Sequence, residues 1–303
     1  MRVDISPGTG AAGGRRRRMR KGMYLLPSLF TIGNIALGFY AILQTLQGSE
    51  EFYWHFDFAA IAIGFAAVFD GLDGRIARMT DTATLFGREL DSLADVITFG
   101  VAPAVLAWMW GFRFLPVLSD GAGTGTLWRI LNPEGTDPVT KLIHLGAIAS
   151  FLFLIAGASR LARFNVQVNP QPSNPGRPDR KYFVGMPIPA GAAVIASVVH
   201  FARGVTITVW WLSLLWAGII LIAGFVMIST WRYYGFKEID FRKEHRYRTI
   251  MFLGVLVAAV RYFSQWTLFA LAITYMFSGV VMRLRYIFRK PASAPPPALK
   301  EAS

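Results

Sequence analysis

Residues 69–100 read FDGLDGRIARMTDTATLFGRELDSLADVITFG, and this stretch decides how the chain is organised. It lies across two segments, Asp57–Met79 and Phe86–Trp110, each apolar at one end and charged at the other. Asp70 and Asp73 are three residues apart, and Asp91 and Asp95 are four apart. On a helix, either spacing sets both carboxylates on one face. A connection of roughly six residues makes the two helices antiparallel neighbours. The four carboxylates then sit at a similar depth and converge.

The surroundings of this stretch are those of a membrane protein. The chain has 303 residues, of which 54% are apolar and only 16% charged, with a mean hydropathy of +0.42. Soluble domains carry about a quarter charged residues. A soluble globule, a disordered chain and a nucleic-acid binder are excluded on that ground, despite a formal net charge of +13. The absence of cysteine rules out disulfide frameworks, thiolate metal sites and cysteine nucleophiles. The 24 Phe, 10 Tyr and 9 Trp suit interfacial aromatic belts.

A bilayer core takes about 20 apolar residues as helix. The apolar runs predict an all-α integral membrane protein, a polytopic bundle of about eight helices: 28–47, 57–80, 86–111, 140–163, 186–202, 207–230, 247–263 and 265–286. The shortest run, Thr249–Val260, is closed off by Arg261. Eight crossings put both termini on one side, and that side collects 26 of the 31 Lys and Arg residues. The positive-inside rule makes it the cytoplasm. The expected setting is the inner membrane, with the acidic stretch facing the cytoplasm.

Residues 1–22 are expected to form a basic, largely disordered tail, 23–290 the transmembrane domain, and 291–303 a disordered Pro/Ala-rich tail. The run Arg15–Arg18 with Arg20 and Lys21 precedes an apolar stretch too long for a signal peptide. It reads as an orienting segment attracted to anionic lipid heads.

Ionisable side chains inside spans are costly and mark function. Four converging carboxylates at low dielectric are either partly protonated or neutralised by cations. Oxygen ligands with no His or Cys nearby select hard ions such as Mg²⁺, Mn²⁺ or Ca²⁺, and two such ions form a clamp for phosphoryl chemistry. Gly71, Gly74, Ala77 and Gly87 line the same helix faces and admit a bulky ligand. Arg78, one turn beyond Gly74, offers a planar fork for phosphate. Asp81 and Glu89 fall off the pattern.

These residues fit the pattern D-x-x-D-G-x-x-A-R-x8-G-x-x-x-D-x-x-x-D. Asp70, Asp73, Gly74, Ala77, Arg78, Gly87, Asp91 and Asp95 meet it with every spacing intact, eight fixed positions over 26 residues. In this the chain resembles the CDP-alcohol phosphotransferases. The resemblance implies a membrane enzyme that moves a phosphatidyl group from a CDP-linked lipid to an alcohol and releases CMP. It implies metal binding by Asp70, Asp73 and Asp91, with Asp95 sharing in ligation of the second ion and acting as general base. Gly74 and Arg78 then meet the cytidine diphosphate, with Gly87 and Thr84 beside them. Asn34, a polar residue in an apolar helix, either bonds the donor head group or ties two helices together.

Further segments sharpen the likeness: PSLFTIGNIALGFYAI (Pro27–Ile42), ELDSLADVITFGVAPA (Glu89–Ala104), GASRLARFNVQ (Gly157–Gln167), YFVGMPIPAGAA (Tyr182–Ala193) and MISTWRYYGFKEIDF (Met227–Phe241). Together they look like the phosphatidylserine synthases of that family, over roughly residues 25–245, with the last two helices contributing little. The donor implied is CDP-diacylglycerol and the acceptor L-serine; by analogy a homodimer is allowed. A zwitterionic acceptor needs a group for its carboxylate, and Arg160, Arg163 and Asn165 at the end of the fourth helix are candidates, as are Ser92 and Thr98 flanking the acidic cluster and Arg232 further on. Arg160 and its neighbours also read as ordinary basic anchors.

Sister enzymes using glycerol 3-phosphate, an inositol phosphate or choline would share the chemistry. A cation transporter would need broken helices and paired repeats. An aspartate-rich prenyl transferase would show two separate acidic clusters.

Overall fold

A computed structural model describes residues 10–80, 85–116, 138–166, 182–234 and 246–288. The chain is mostly helical. In order come α1 (Gly10–Gln47), α2 (Trp54–Thr80), α3 (Leu85–Asp95), a π-helical turn (Val96–Val101), α4 (Ala102–Phe112), α5 (Pro138–Val166), β1 (Tyr182–Val184), α6 (Ile188–Phe201), α7 (Trp210–Ile228), β2 (Arg232–Tyr234) and α8 (Arg246–Phe288). Among the described residues, five stretches are long and apolar enough to cross a membrane: Leu29–Gln47, Phe86–Phe112, Pro138–Val166, Trp210–Ile228 and Gly254–Phe288. The helix Ile188–Phe201 is apolar but shorter. Large apolar side chains such as Phe39, Phe65, Phe151, Leu215 and Phe225 point outward, as a lipid-facing surface requires.

The last two helices match the sequence expectation at their junction, while the start of α1 differs from it. α1 begins at Gly10 and takes in the Arg15–Arg18 run, because Arg, Lys and Met are good helix formers. The segments expected at 247–263 and 265–286 are both helical, and within α8 they meet at a break at Phe263 (φ −134°, ψ 44°), where the sequence divides the two runs. The bend frees backbone carbonyls, and Thr267 Oγ1 donates to one of them, Ala259 O, at 3.2 Å. This is the remedy a bent helix needs away from water.

Lipid gives no hydrophobic drive between helices, so small residues and hydrogen bonds must hold the bundle. α1 runs along α2, α5 along α7, and α6 sits between α2 and α8. Alanines fill the α2 interface, with Ala59, Ala60, Ala62 and Ala66 all buried. Gly111 lets the Trp216 ring lie directly on α4. That indole donates to Ala107 O at 2.9 Å and meets Trp110 edge-on at 5.1 Å. Trp110 in turn donates to Val205 O at 2.9 Å, and Ser213 Oγ to Gly111 O at 2.7 Å. α4 and α7 are thus joined by directional bonds inside an apolar core.

The rod Leu85–Phe112 is continuous but not uniform. Pro103 lacks an N–H and crowds the carbonyl four residues back, and the wide turn Val96–Val101 accommodates it. That turn follows Asp95 directly, so α3 can present one face while α4 presents another. π turns of this kind gather at functional sites.

β1 and β2 pair antiparallel, Phe183 opposite Tyr233. Gly185 leaves β1 with φ +74°, where a Cβ would strike the carbonyls of Met227 and Ser229. The clip carries fully buried Tyr233 onto α8, where its hydroxyl donates to Met276 O at 2.8 Å and its ring lies on Gly279. Burial, and then neighbouring Tyr275, push the Tyr233 hydroxyl above the ordinary tyrosine range, so it stays a neutral donor. At another point α8 is tied in by a polar chain. Asp57 Oδ1 of α2 lies 2.6 Å from His200 Nδ1 of α6, and His200 Nε2 lies 3.0 Å from Ser264 Oγ beside the α8 bend.

Candidate active site

α2 and α3 supply the acidic side chains. Single carboxylate oxygens of Asp70, Asp91 and Asp95 all lie within 4.8 Å of one another, and all three residues are half-buried. Asp91 and Asp95 are one turn apart on α3, so the i, i+4 geometry brings them together, and α2 brings Asp70 from across the junction. Three of the four carboxylates expected to converge from the spacings 70/73 and 91/95 are thus together. Asp73, Gly74 and Arg78 lie on α2, with their side-chain positions outside the described residues, and Thr84 lies outside them altogether.

Three carboxylates this close repel each other strongly. At 4.8 Å, each pair of full charges costs about 3.5 kcal/mol at an effective dielectric of about 20. Oxygen donors alone, with no imidazole or thiolate in the group, match a hard divalent cation. The residues present therefore fit such an ion. A side chain added at Gly71 would meet nothing within 4 Å among the described residues.

The residues expected to meet an acceptor divide by their bonds. Thr98 is buried and donates to the Asn34 backbone carbonyl at 3.1 Å, joining the π turn to α1. Ser92 Oγ donates to Arg88 O and accepts from Asn165 Nδ2, each at 3.0 Å. Arg163 donates from Nη1 to Ile228 O at 3.0 Å, a cation on the carbonyl end of α7. Arg160 stands apart. It is 8% exposed, lies within electrostatic reach of Asp95 and Tyr275, and its buried Nε has no hydrogen-bond partner among the described residues. Its guanidinium also sits 5.9 Å from the centroid of the Phe164 ring. The Asn34 amide is buried, and among the described residues neither of its side-chain atoms has a hydrogen-bond partner.

Sequence reasoning passed over Tyr275 of α8, which lies within electrostatic reach of Arg160. The signal was present in the polar pair Thr274–Tyr275 within an otherwise apolar run. Arg232, which the sequence reading placed near the acceptor, lies on β2 opposite Val184.

Comparison with known proteins gives a consistent answer. The family model of CDP-alcohol phosphatidyltransferases matches residues 24–228. A CDP-diacylglycerol–serine O-phosphatidyltransferase of Helicobacter pylori is 32% identical over 241 residues, 77% of this chain and 82% of that protein. A Saccharomyces cerevisiae protein of the same name is 35% identical over 170 residues, 55% of this chain and 50% of that protein. An archaetidylserine synthase of Methanothermobacter thermautotrophicus is 32% identical over 176 residues, 57% of this chain and 56% of that protein.

Proposed function

The chain belongs to the CDP-alcohol phosphatidyltransferase family, and on that premise we propose that it transfers the phosphatidyl group of CDP-diacylglycerol to the hydroxyl of L-serine, giving phosphatidylserine and CMP. The observation that carries this reading is the closure of Asp70, Asp91 and Asp95 from two helices onto one point, inside the segment the family model matches. The choice of serine draws support from the names of the relatives, which cover bacteria, yeast and an archaeon. The working arrangement is an eight-span bundle in the inner membrane, with both termini and the acidic cluster at the cytoplasmic face, as the Lys/Arg asymmetry indicates.

Asp70, Asp73, Asp91 and Asp95 would hold two divalent cations, Mg²⁺ or Mn²⁺, which when bound neutralise the diphosphate and the leaving CMP. Arg78 grips the same phosphates through its fork, with Gly74 and Gly87 leaving room for the nucleotide and Asn34 and Thr84 beside it. The serine hydroxyl attacks the lipid-bearing phosphorus, the bond from that phosphorus to the CMP oxygen breaks, and Asp95 takes the hydroxyl proton. Arg160 receives the serine carboxylate, and Ser92, Thr98, Arg163 and Asn165 fix the helix ends around it. Orientation and charge compensation supply most of the rate in such transfers.

The test is CMP release by the purified protein with CDP-diacylglycerol, Mn²⁺ or Mg²⁺, and a panel of serine, glycerol 3-phosphate, an inositol phosphate and choline. Serine-dependent CMP release is expected. Release with another alcohol and none above buffer with serine would overturn the acceptor.

A further inference from the structure

The rod that carries Asp91 and Asp95 is not one regular helix. α3 ends at Asp95, and the wide turn Val96–Val101 begins at the next residue. Ala102 N–H bonds to Ile97 O, five residues back. An α turn in place of this one would swing α3 by about 100° against α4, the angle between successive helical residues. Asp91 and Asp95 would then turn away from Asp70, with which they now share one point: single oxygens of the three lie within 4.8 Å of one another. The acidic cluster therefore depends on the width of one turn.

π turns are rare, and contacts from outside hold this one. On one side Gly100 admits Leu154 of α5 to the place where a Cβ would stand. On the other, fully buried Thr98 donates from Oγ1 to Asn34 O of α1 at 3.1 Å. On a helix, a side chain lies over the turn N-terminal to its own Cα, so the residue four positions after Asn34 would ordinarily cover that carbonyl. That residue is Gly38, and a Cβ there would strike the Thr98 hydroxyl and Cα. Gly38 thus uncovers the carbonyl that Thr98 uses. α1 in turn runs along α2, the helix that carries Asp70. One hydrogen bond ties the turn behind Asp95 to the helix pair that presents Asp70.

We propose that Thr98 is a positioning residue: its hydroxyl, received by the Asn34 carbonyl beside Gly38, sets the rotation of α3 that aims Asp91 and Asp95 at Asp70. This rests on the reading of the acidic cluster as a cation site. Thr98 acts through the turn rather than on the substrate. The hydroxyl is the working part, because a hydrogen bond is directional and a methyl contact is not. Removing it leaves no orphaned acceptor, since the Gly38 N–H, four residues on, serves Asn34 O in the α1 ladder.

The experiment uses the full chain in lipid nanodiscs. It reads Mn²⁺ affinity by electron paramagnetic resonance, serine-dependent CMP release at saturating Mn²⁺, and melting temperature in excess chelator. Thr98→Val keeps the branched shape and removes the donor. It is expected to weaken Mn²⁺ binding about tenfold and to lower kcat by a similar factor, the scale on which groups behind metal ligands act. Thr98→Ser keeps the donor and loses a buried methyl. It is expected to melt below wild type yet to hold Mn²⁺ affinity and kcat within about threefold. A purely structural Thr98 would not separate stability from ion binding in this way. Gly38→Ala, which drives a Cβ against Thr98, is expected to weaken Mn²⁺ as Thr98→Val does. Mn²⁺ affinity within about twofold of wild type in folded Thr98→Val or Gly38→Ala overturns the proposal, as does a loss in Thr98→Ser equal to that in Thr98→Val. Failure of both Thr98→Val and Gly38→Ala to fold would make the contact a scaffold bond and overturns it as well. If wild type itself binds no Mn²⁺, the cation-site reading fails, a result separate from a silent Thr98 in a protein that does bind the ion.

Discussion

Replacing Asp95 by Asn separates stability from catalysis. Asp70, Asp91 and Asp95 hold oxygens within 4.8 Å of one another, so three repulsive pairs of about 3.5 kcal/mol each act when all are ionised at an effective dielectric of about 20. Neutralising Asp95 removes two of the three. The attraction to Arg160 is lost at the same time, and solvent at these half-buried positions screens most of the repulsion. A net gain on the order of 1 kcal/mol remains for the metal-stripped protein, about 2 °C in melting temperature for a chain of this size. Turnover falls in the opposite direction. Loss of a positioned base costs typically 10²–10⁴-fold, and a neutral amide is also a poorer cation ligand. The assay pairs thermal melting in excess chelator with single-turnover CMP release at saturating CDP-diacylglycerol and serine. A variant that keeps more than about a tenth of wild-type turnover refutes the base assignment. One that melts several degrees below wild type in chelator refutes the repulsive cluster.

Two further substitutions test the frame that carries the site. Gly111→Ala would drive a Cβ into the Trp216 ring, which its bond to Ala107 O keeps from moving; a loss of about 1–3 kcal/mol is expected, read as a lower melting temperature with reduced edge-to-face Trp110–Trp216 signal in near-UV circular dichroism. His200→Ala removes both links of the Asp57–His200–Ser264 chain and is expected to lower the melting temperature by several degrees. Asp57 lies about 20 Å along α2 from Asp70, so the KM for serine and for CDP-diacylglycerol should stay within twofold; a tenfold change in either would show that the chain reaches the site.

The acidic cluster was legible because its information is local. Spacings of three and four residues on two helices joined by a short turn fix which side chains share a face, and Asp70, Asp91 and Asp95 meet accordingly. Apolar run length located α5 and α7 to within a few residues, since bilayer thickness sets helix length. What escaped is long-range. Asp57, His200 and Ser264 each sit near the end of an apolar run and follow no common period, so only packing unites them. The three-residue strands at Tyr182–Val184 and Arg232–Tyr234 are separated by two helices, and three residues are too few to show an alternation. Thr98 illustrates a third limit. Its place next to the acidic residues suggested substrate contact, and the fold uses its hydroxyl to bind α1 through Asn34 O. The break at Phe263, by contrast, was legible without any Pro or Gly, because Arg261 closes the run Thr249–Val260 and divides the last two helices there.

The account stands or falls on what the converging carboxylates hold. Electron paramagnetic resonance of Mn²⁺ added to the metal-stripped protein, in the presence of CDP-diacylglycerol, counts bound ions directly. Two per chain are expected, with binding lost in Asp91→Asn. A spectrum of free Mn²⁺ alone, unchanged by protein at millimolar ion, would contradict the account.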